Sequence, residues 1–224
     1  MVKISVSGSK GKMGSRIAEL LKDDAELELS GSFDAGEDPE GPVGSCDCLI
    51  EFTTPDATIK NLELCQKLGK AMVIGTTGLT NDQKDKIKET AKSIPIVLSP
   101  NMSVGVNVLF KMIADVARVL GSEYNIEIVE AHHVHKKDAP SGTAKEMARI
   151  VKDVKGDIDI PIESIREDEI VGEHTITFNS DVDTIEITHS AKTRDIFVKG
   201  ALKAAKFLVK QKPGVYSMQD VLHI

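Results

Sequence analysis

The sequence predicts an α/β fold in which a doubly wound parallel sheet is followed by a second, α+β unit. Three observations carry this. Strand-like and helix-like stretches alternate from the N-terminus to Pro100, a glycine-rich turn joins the first strand to the first helix, and beyond Pro100 the pattern changes to long helices followed by consecutive strands. Strands alternating with helices imply a parallel sheet covered on both faces.

The elements follow from periodicity. Val2 to Ser7 reads as a strand, and Lys12 to Lys22 as a helix with Met13, Ile17, Leu20 and Leu21 on one face. Leu27 to Phe33 and Cys48 to Phe52 read as strands, and Pro55 opens a helix whose body is Thr58 to Leu68. Ala71 to Ile74, a helix over Asn81 to Lys92, and Ile96 to Leu98 complete the first part. Val106 to Leu120 then reads as a long amphipathic helix, Asn125 to Glu130 as a strand, and Thr143 to Val154 as a helix capped by Ser141. Ile162 to Arg166, Glu169 to Phe178 and Thr184 to His189 alternate in the manner of an antiparallel sheet with one buried face. A final helix, Arg194 to Val209, carries Phe197, Ala201, Ala205 and Leu208 on one stripe and stops before Pro213-Gly214. Such a helix is suited to return and cover the first part.

Composition narrows the function. The 224 residues suffice for one large domain or two small ones, burying roughly 70% of the unfolded surface. A net charge of −7, with 4% aromatic residues and no Trp, has the wrong sign and the wrong side chains for a nucleic-acid binder. Cys46, Cys48 and Cys65 have no C-x-x-C spacing, so they suggest reduced thiols in a cytoplasmic protein rather than disulfides or zinc. No run approaches a membrane span, and the N-terminus has no signal-like apolar stretch.

Gly8-Ser9-Lys10-Gly11-Lys12-Met13-Gly14 follows the first strand and opens the first helix, the setting a phosphate-binding loop requires. Small residues let the backbone approach a pyrophosphate, and helix N–H groups meet its charge. A plain glycine-rich turn would look similar, but Asp34 ends the second strand 20 residues beyond Gly14, where it can accept hydrogen bonds from a ribose. The acidic side chain would repel a 2′-phosphate, so NADH is favoured, with Lys10 and Lys12 leaving NADPH open. Gly75-Thr76-Thr77-Gly78 and Ser99-Pro100-Asn101-Met102 follow the fourth and fifth strands. Each loop alone fits turn chemistry equally well; together they share the rim where open α/β sheets bind ligands.

The segment Glu130-Ala131-His132-His133-Val134-His135-Lys136-Lys137-Asp138-Ala139-Pro140-Ser141-Gly142-Thr143 holds three imidazoles and two ammonium groups ahead of a helix. Metal is disfavoured, because two lysines beside the histidines oppose a divalent cation. A solvated loop before a capped helix accounts for Ser141 but not for the rest. An anion and proton-transfer site uses all of them: the amides of Gly142 and Thr143 bind a carboxylate, Lys136 and His133 add donors, and one imidazole moves a proton.

Taken together, Gly8-x-x-Gly11-x-Met13-Gly14, Glu51-Phe52-Thr53, Gly75-Thr76-Thr77-Gly78, Asn101-Met102-Ser103-Val104-Gly105-Val106-Asn107 and Glu130-Ala131-His132-His133-x-x-Lys136-x-Asp138-x-Pro140-Ser141-Gly142-Thr143-Ala144 resemble the 4-hydroxy-tetrahydrodipicolinate reductase family over the full length. The resemblance implies a Rossmann-type dinucleotide-binding domain of residues 1–102 plus 194–224, and a substrate-binding and tetramerisation domain of 103–193. It implies NAD(P)H-dependent reduction of a dicarboxylate in the diaminopimelate route to lysine by a cytoplasmic homotetramer. It makes His132 the proton donor and acceptor, Lys136 a second catalytic donor, and His133, Gly142 and Thr143 substrate binders. Cofactor contacts would come from Gly8, Ser9, Lys10, Gly11, Lys12, Met13, Asp34, Gly75, Thr76, Thr77, Ser99, Pro100, Asn101 and Met102. Two positions depart from the family's usual Arg: Lys12, which offers a less bidentate pyrophosphate contact, and Val134, which removes a charge from the loop. Another two-domain dehydrogenase, or a regulator that senses NAD(H) without catalysis, are the competing readings; the regulator has no use for the His/Lys segment.

Overall fold

A computed structural model describes all residues from Met1 to Ile224. The chain forms two compact units, one of Met1–Ser103 with Phe197–His223 and one of Val104–Ile196.

The first unit is built on a six-stranded parallel sheet. Its strands are β1 (Val2–Ser7), β2 (Leu27–Phe33), β3 (Cys48–Glu51), β4 (Ala71–Ile74), β5 (Pro95–Leu98) and the last strand of the chain, β10 (Gly214–Tyr216). The spatial order is β10-β5-β4-β3-β1-β2. The crossover helices are α1 (Lys12–Leu20), α2 (Glu40–Ser45), α3 (Pro55–Leu68) and α4 (Asn81–Thr90). The central strands β3 and β4 are buried at every residue, as expected where helices cover both faces. Parallel register brings Phe33, Ser7, Glu51, Ile74 and Leu98 to one rim, so the loops that follow β1 to β5 emerge side by side.

The second unit has a four-stranded sheet of order β7-β6-β8-β9, from β6 (Asn125–His132), β7 (Ile162–Arg166), β8 (Glu173–Asn179) and β9 (Thr184–Ser190). Helices α5 (Val104–Val119) and α6 (Gly142–Lys155) pack with it around Phe110, Ile113, Met147, Val151, Ile176 and Phe178. Helix α7 (Asp195–Leu208) then supplies Val198, Ala201, Ala204, Ala205 and Leu208 to the core of the first unit, with Phe197 of the expected stripe only partly buried against it. A short helix, α8 (Met218–Leu222), closes the chain.

Two expectations need correction. The run Glu169 to Phe178 is not all strand: β8 starts at Glu173, because Asp168 takes φ 46° and the carbonyl of Ile170 accepts the N–H of His133 instead of a ladder partner. The sheet is mixed, since β7 lies parallel to β6 while β8 and β9 are antiparallel. Three elements carried no readable signal. Helix α2 contains Gly41, Pro42 and Gly44 and exists because Val43 is buried and Gly31 admits Pro42 at close range. The three-residue β10 and the five-residue α8 are too short for periodicity.

Docking of α7 depends on Gly200, where a Cβ would stand 1.7 Å from the carbonyl oxygen of Met102. Gly200→Ala should therefore cost about 2 to 3 kcal/mol in urea denaturation. Gly41→Ala, where a Cβ meets nothing within 4 Å, should change stability by less than about 0.5 kcal/mol.

Candidate active site

In the first unit, the loop after β1 is shaped by its glycines. Gly8 takes a left-handed φ of 77°, and the N–H groups of Gly8 and Ser9 both donate to Phe33 O, at 3.0 and 3.2 Å. A Cβ on Gly14 would stand 2.1 Å from Gly8 O, so only glycine lets α1 start this close to the turn. Gly11 caps α1 without a side-chain acceptor, and no acidic residue lies in the first turn. The N-terminus of the nine-residue helix is left with its positive dipole end uncompensated, suited to an anion.

Asp34 accepts the N–H groups of Lys10 and Ala35, each at 2.7 Å, and the Lys10 contact foremost holds its carboxyl below the usual range. The Lys10 ammonium does not stand free in the loop: it pairs with Glu37 at 2.7 Å. Glu37 in turn accepts the N–H of Asp34 at 2.8 Å. Around the end of β2 there are thus two carboxylates for one cation.

On the same rim, Thr76 is turned inward, its hydroxyl 2.9 Å from Glu51 Oε1. Ser99 is buried and donates to Asn101 O at 2.8 Å, while Asn101 Oδ1 accepts the N–H of Ser103. Met102 is buried in the core, so its side chain is spent on packing and only its backbone is available to a ligand.

In the second unit, strand β6 buries Ile126, Ile128, Glu130 and His132 on one face. Two apolar residues are followed by a carboxylate and an imidazole, and Glu130 is completely enclosed. Its partners are specific. Arg166 Nη1 donates to Oε2 at 2.9 Å and Nη2 to Oε1 at 2.7 Å. The N–H of Ser141 reaches Oε1 at 3.1 Å, and His132 Nδ1 lies 2.5 Å from Oε2. Burial pushes this carboxyl up, but the hydrogen bonds, led by Arg166, outweigh it and hold the pKa at about 2. His132 is pushed below the ordinary histidine value by burial, with Glu130 partly offsetting the shift. With Nδ1 committed to Glu130, Nε2 is the nitrogen left to exchange a proton with a ligand. Gly172 sits beside it: a Cβ there would stand 3.0 Å from Nε2.

Ser141 caps α6 by accepting the N–H of Ala144 at 3.1 Å. A Cβ on Gly142 would meet nothing within 4 Å, so space is open at the helix N-terminus beside Thr143. The Ser141 hydroxyl also contacts His174 Nε2 at 3.0 Å. His174 stands opposite Glu130 in the ladder and edge-on to His132, with ring centroids 5.1 Å apart. Burial lowers its pKa to about 3. Lys136, expected as a donor, is clamped by both oxygens of Asp138 at 2.8 and 2.9 Å. His133 Nε2 faces Arg194 at 3.3 Å, whereas exposed His135 faces Glu169 at 3.7 Å. No group of three or more His, Cys, Asp or Glu is placed to hold a metal ion.

Sequence reasoning quoted Glu130 without giving it a task and passed over Arg166, His174 and Arg194. The signal for Glu130 was present: alternation from Ile126 puts it on the same inward face as His132. Arg166 could not have been found, since it reaches Glu130 through a parallel pairing of β6 with β7 that no local pattern encodes.

A family model described as dihydrodipicolinate reductase, N-terminus, matches residues 2–102, and one described as its C-terminus matches 105–222. The 4-hydroxy-tetrahydrodipicolinate reductases of Geotalea uraniireducens and Syntrophotalea carbinolica are 44% and 39% identical, each over 99% of both chains. Among solved structures, a dipicolinate-bound dihydrodipicolinate reductase from Paenisporosarcina sp. TG-14 superposes with a TM-score of 0.82 at 22% identity, covering 98% of each chain. A probable dehydrogenase from Thermotoga maritima gives 0.65 at 13% identity, over 98% of this chain and 92% of that one. The class is thus an oxidoreductase with a Rossmann-type, nicotinamide-dinucleotide-binding unit joined to an α+β unit. Within that class, the chain belongs to the dihydrodipicolinate reductase family.

The buried histidines make stability pH-dependent. A histidine whose pKa is lowered in the folded state binds its proton only on unfolding, so stability is lost as pH falls below the unfolded value of 6.5. For His174 alone this amounts to about 2 kcal/mol between pH 7.5 and 5. Urea titrations at the two pH values should show the loss, and His174→Gln should flatten the dependence.

Proposed function

We propose that this chain reduces 4-hydroxy-tetrahydrodipicolinate to tetrahydrodipicolinate in the diaminopimelate route to lysine. In this reading, residues 1–102 and 194–224 hold the nicotinamide cofactor and 103–193 hold the substrate. The observation that carries it is the shared anchorage of His132 and Ser141 on Glu130, which ties a proton-transferring imidazole to a helix N-terminus open to an anion.

The substrate is a cyclic imine with two carboxylates. Loss of its 4-hydroxyl as water leaves a conjugated double bond, to which a bound nicotinamide would supply hydride at the former hydroxyl carbon. Electron density then moves toward the neighbouring carbon and the ring nitrogen. His132 delivers the balancing proton from Nε2, a contribution of about 10²–10⁴-fold for a well-placed acid. Its imidazolium is stabilised by Glu130, which stays ionised because Arg166 holds it so. The N–H groups at Gly142 and Thr143, together with the Thr143 hydroxyl, bind one carboxylate, with His133 as a further donor. Lys136, fixed by Asp138, is the second catalytic donor and stabilises negative charge.

Gly8, Ser9, Lys10, Gly11, Lys12 and Met13 cradle the pyrophosphate, Asp34 the adenosine ribose, and Gly75 to Thr77 with Ser99 to Met102 the nicotinamide half. The glycine contacts and uncapped α1 fit that group. NADH is the preferred cofactor, because Asp34 and Glu37 outnumber Lys10 where a 2′-phosphate would lie. The protein works as a cytoplasmic homotetramer; β9 presents Thr184, Glu186, Thr188 and Ser190 as an exposed row suited to self-association.

Following absorbance at 340 nm with freshly generated substrate tests the reading. His132→Gln should lower kcat by about 10²–10⁴-fold while changing substrate KM little, whereas Thr143→Val should mainly raise KM. Wild-type turnover in His132→Gln would refute the assignment. The ratio of kcat/KM for NADH over NADPH should be about tenfold or more, a difference of about 1.4 kcal/mol.

A further inference from the structure

The Glu51-Phe52-Thr53 segment, part of the sequence pattern yet without a task in the chemistry above, surrounds a second enclosed carboxylate. Glu51 ends β3, is completely buried, and takes its hydrogen bonds from threonine hydroxyls rather than a cation. Oε1 accepts from Thr53 and, at 2.9 Å, from Thr76; Oε2 lies 2.9 Å from the Thr58 hydroxyl and 3.0 Å from that of Thr76. Thr76 Oγ1 also accepts the N–H of Thr53 at 2.9 Å. Burial pushes the Glu51 carboxyl above the ordinary range.

Such a group is expensive for the fold. Enclosing a carboxyl without a cation costs more than an apolar side chain of similar volume, and the hydroxyls only offset the cost. What the arrangement achieves is geometric. A Cβ on Gly8 would stand 2.9 Å from Thr53 Cγ2 and 3.0 Å from Phe52 O, and one on Gly75 would stand 2.2 Å from the Phe52 ring. Residues 51 to 53 are thereby wedged between the loop after β1 and the loop after β4. By fixing Thr53 and Thr76 inward, Glu51 sets the position of both loops at once.

We infer that Glu51 is a positioning residue for the dinucleotide: its hydrogen bonds to Thr53, Thr58 and Thr76 hold the Gly8 turn and the Gly75–Thr77 loop in the spacing that receives the cofactor. This rests on the cofactor reading given above. Thr76 then contributes backbone rather than hydroxyl to the ligand, since its hydroxyl is occupied.

The test is fluorescence titration of the full-length Glu51→Gln variant with NADH, beside steady-state KM values for NADH and for substrate. The amide replaces one acceptor oxygen by a donor, so NADH Kd and KM should each rise on the order of tenfold, with substrate KM within about twofold. A purely structural role would not separate the two KM values. If circular dichroism shows that Glu51→Gln is unfolded, Thr76→Val and Thr76→Ser decide: the first, lacking the hydroxyl, should weaken NADH binding and the second should restore it. Wild-type NADH affinity in folded Glu51→Gln, or in Thr76→Val, overturns the role of Glu51 alone. A wild-type chain that binds neither dinucleotide overturns the cofactor reading as well.

Discussion

The contact on which the second unit's site depends is the enclosed Glu130–Arg166 pair. A carboxylate removed from water is tolerated only if its lone pairs are taken up, and here a two-pronged guanidinium, a backbone N–H and an imidazole take them up. Each partner belongs to a different piece of chain: Arg166 to β7, Ser141 to the start of α6, His132 to the end of β6. Removing Arg166 would leave a buried charge facing a histidine and the cap of a helix, with an expected loss of about 3–5 kcal/mol. The orientation of the imidazole, the placement of the helix N-terminus and the ionisation of Glu130 are consequences of one electrostatic arrangement.

In a chain of net charge −7, each cation of the second unit's site is held by a specific partner. Surface charge matters less than what is desolvated nearby. Arg166 neutralises Glu130 inside, Asp138 fixes Lys136 in place, and Arg194 faces His133. In the first unit the balance reverses at the end of β2, where Glu37 cancels Lys10 and leaves Asp34 uncompensated.

Much of this was legible in the sequence because it is local. Five parallel strands, the glycine turn and the Ser141 cap follow from period, propensity and spacing. The illegible part is long-range. Nothing near Arg166 announces that β7 lies parallel to β6, and the run from Glu169 reads as strand until the left-handed Asp168 and the turn behind it intervene. Lys10 reads as available to a ligand because Glu37 meets it only through the folded loops, whereas Asp138, two residues from Lys136, lay within reach of a local reading. Charge counting along a chain finds the residues of a site, whereas the folded arrangement decides which of them are already paired.

The most direct test of the account is the pH dependence of kcat/KM in wild type and Glu130→Gln. Proton donation from His132 requires a limb that falls as pH rises, with an apparent pKa below 6.5 because burial lowers it. Glu130 raises that pKa against burial, so replacing its charge with a neutral amide should move the limb to lower pH and reduce the maximum. A limb that stays in place in a folded Glu130→Gln protein would contradict the claim that Glu130 organises the proton donor.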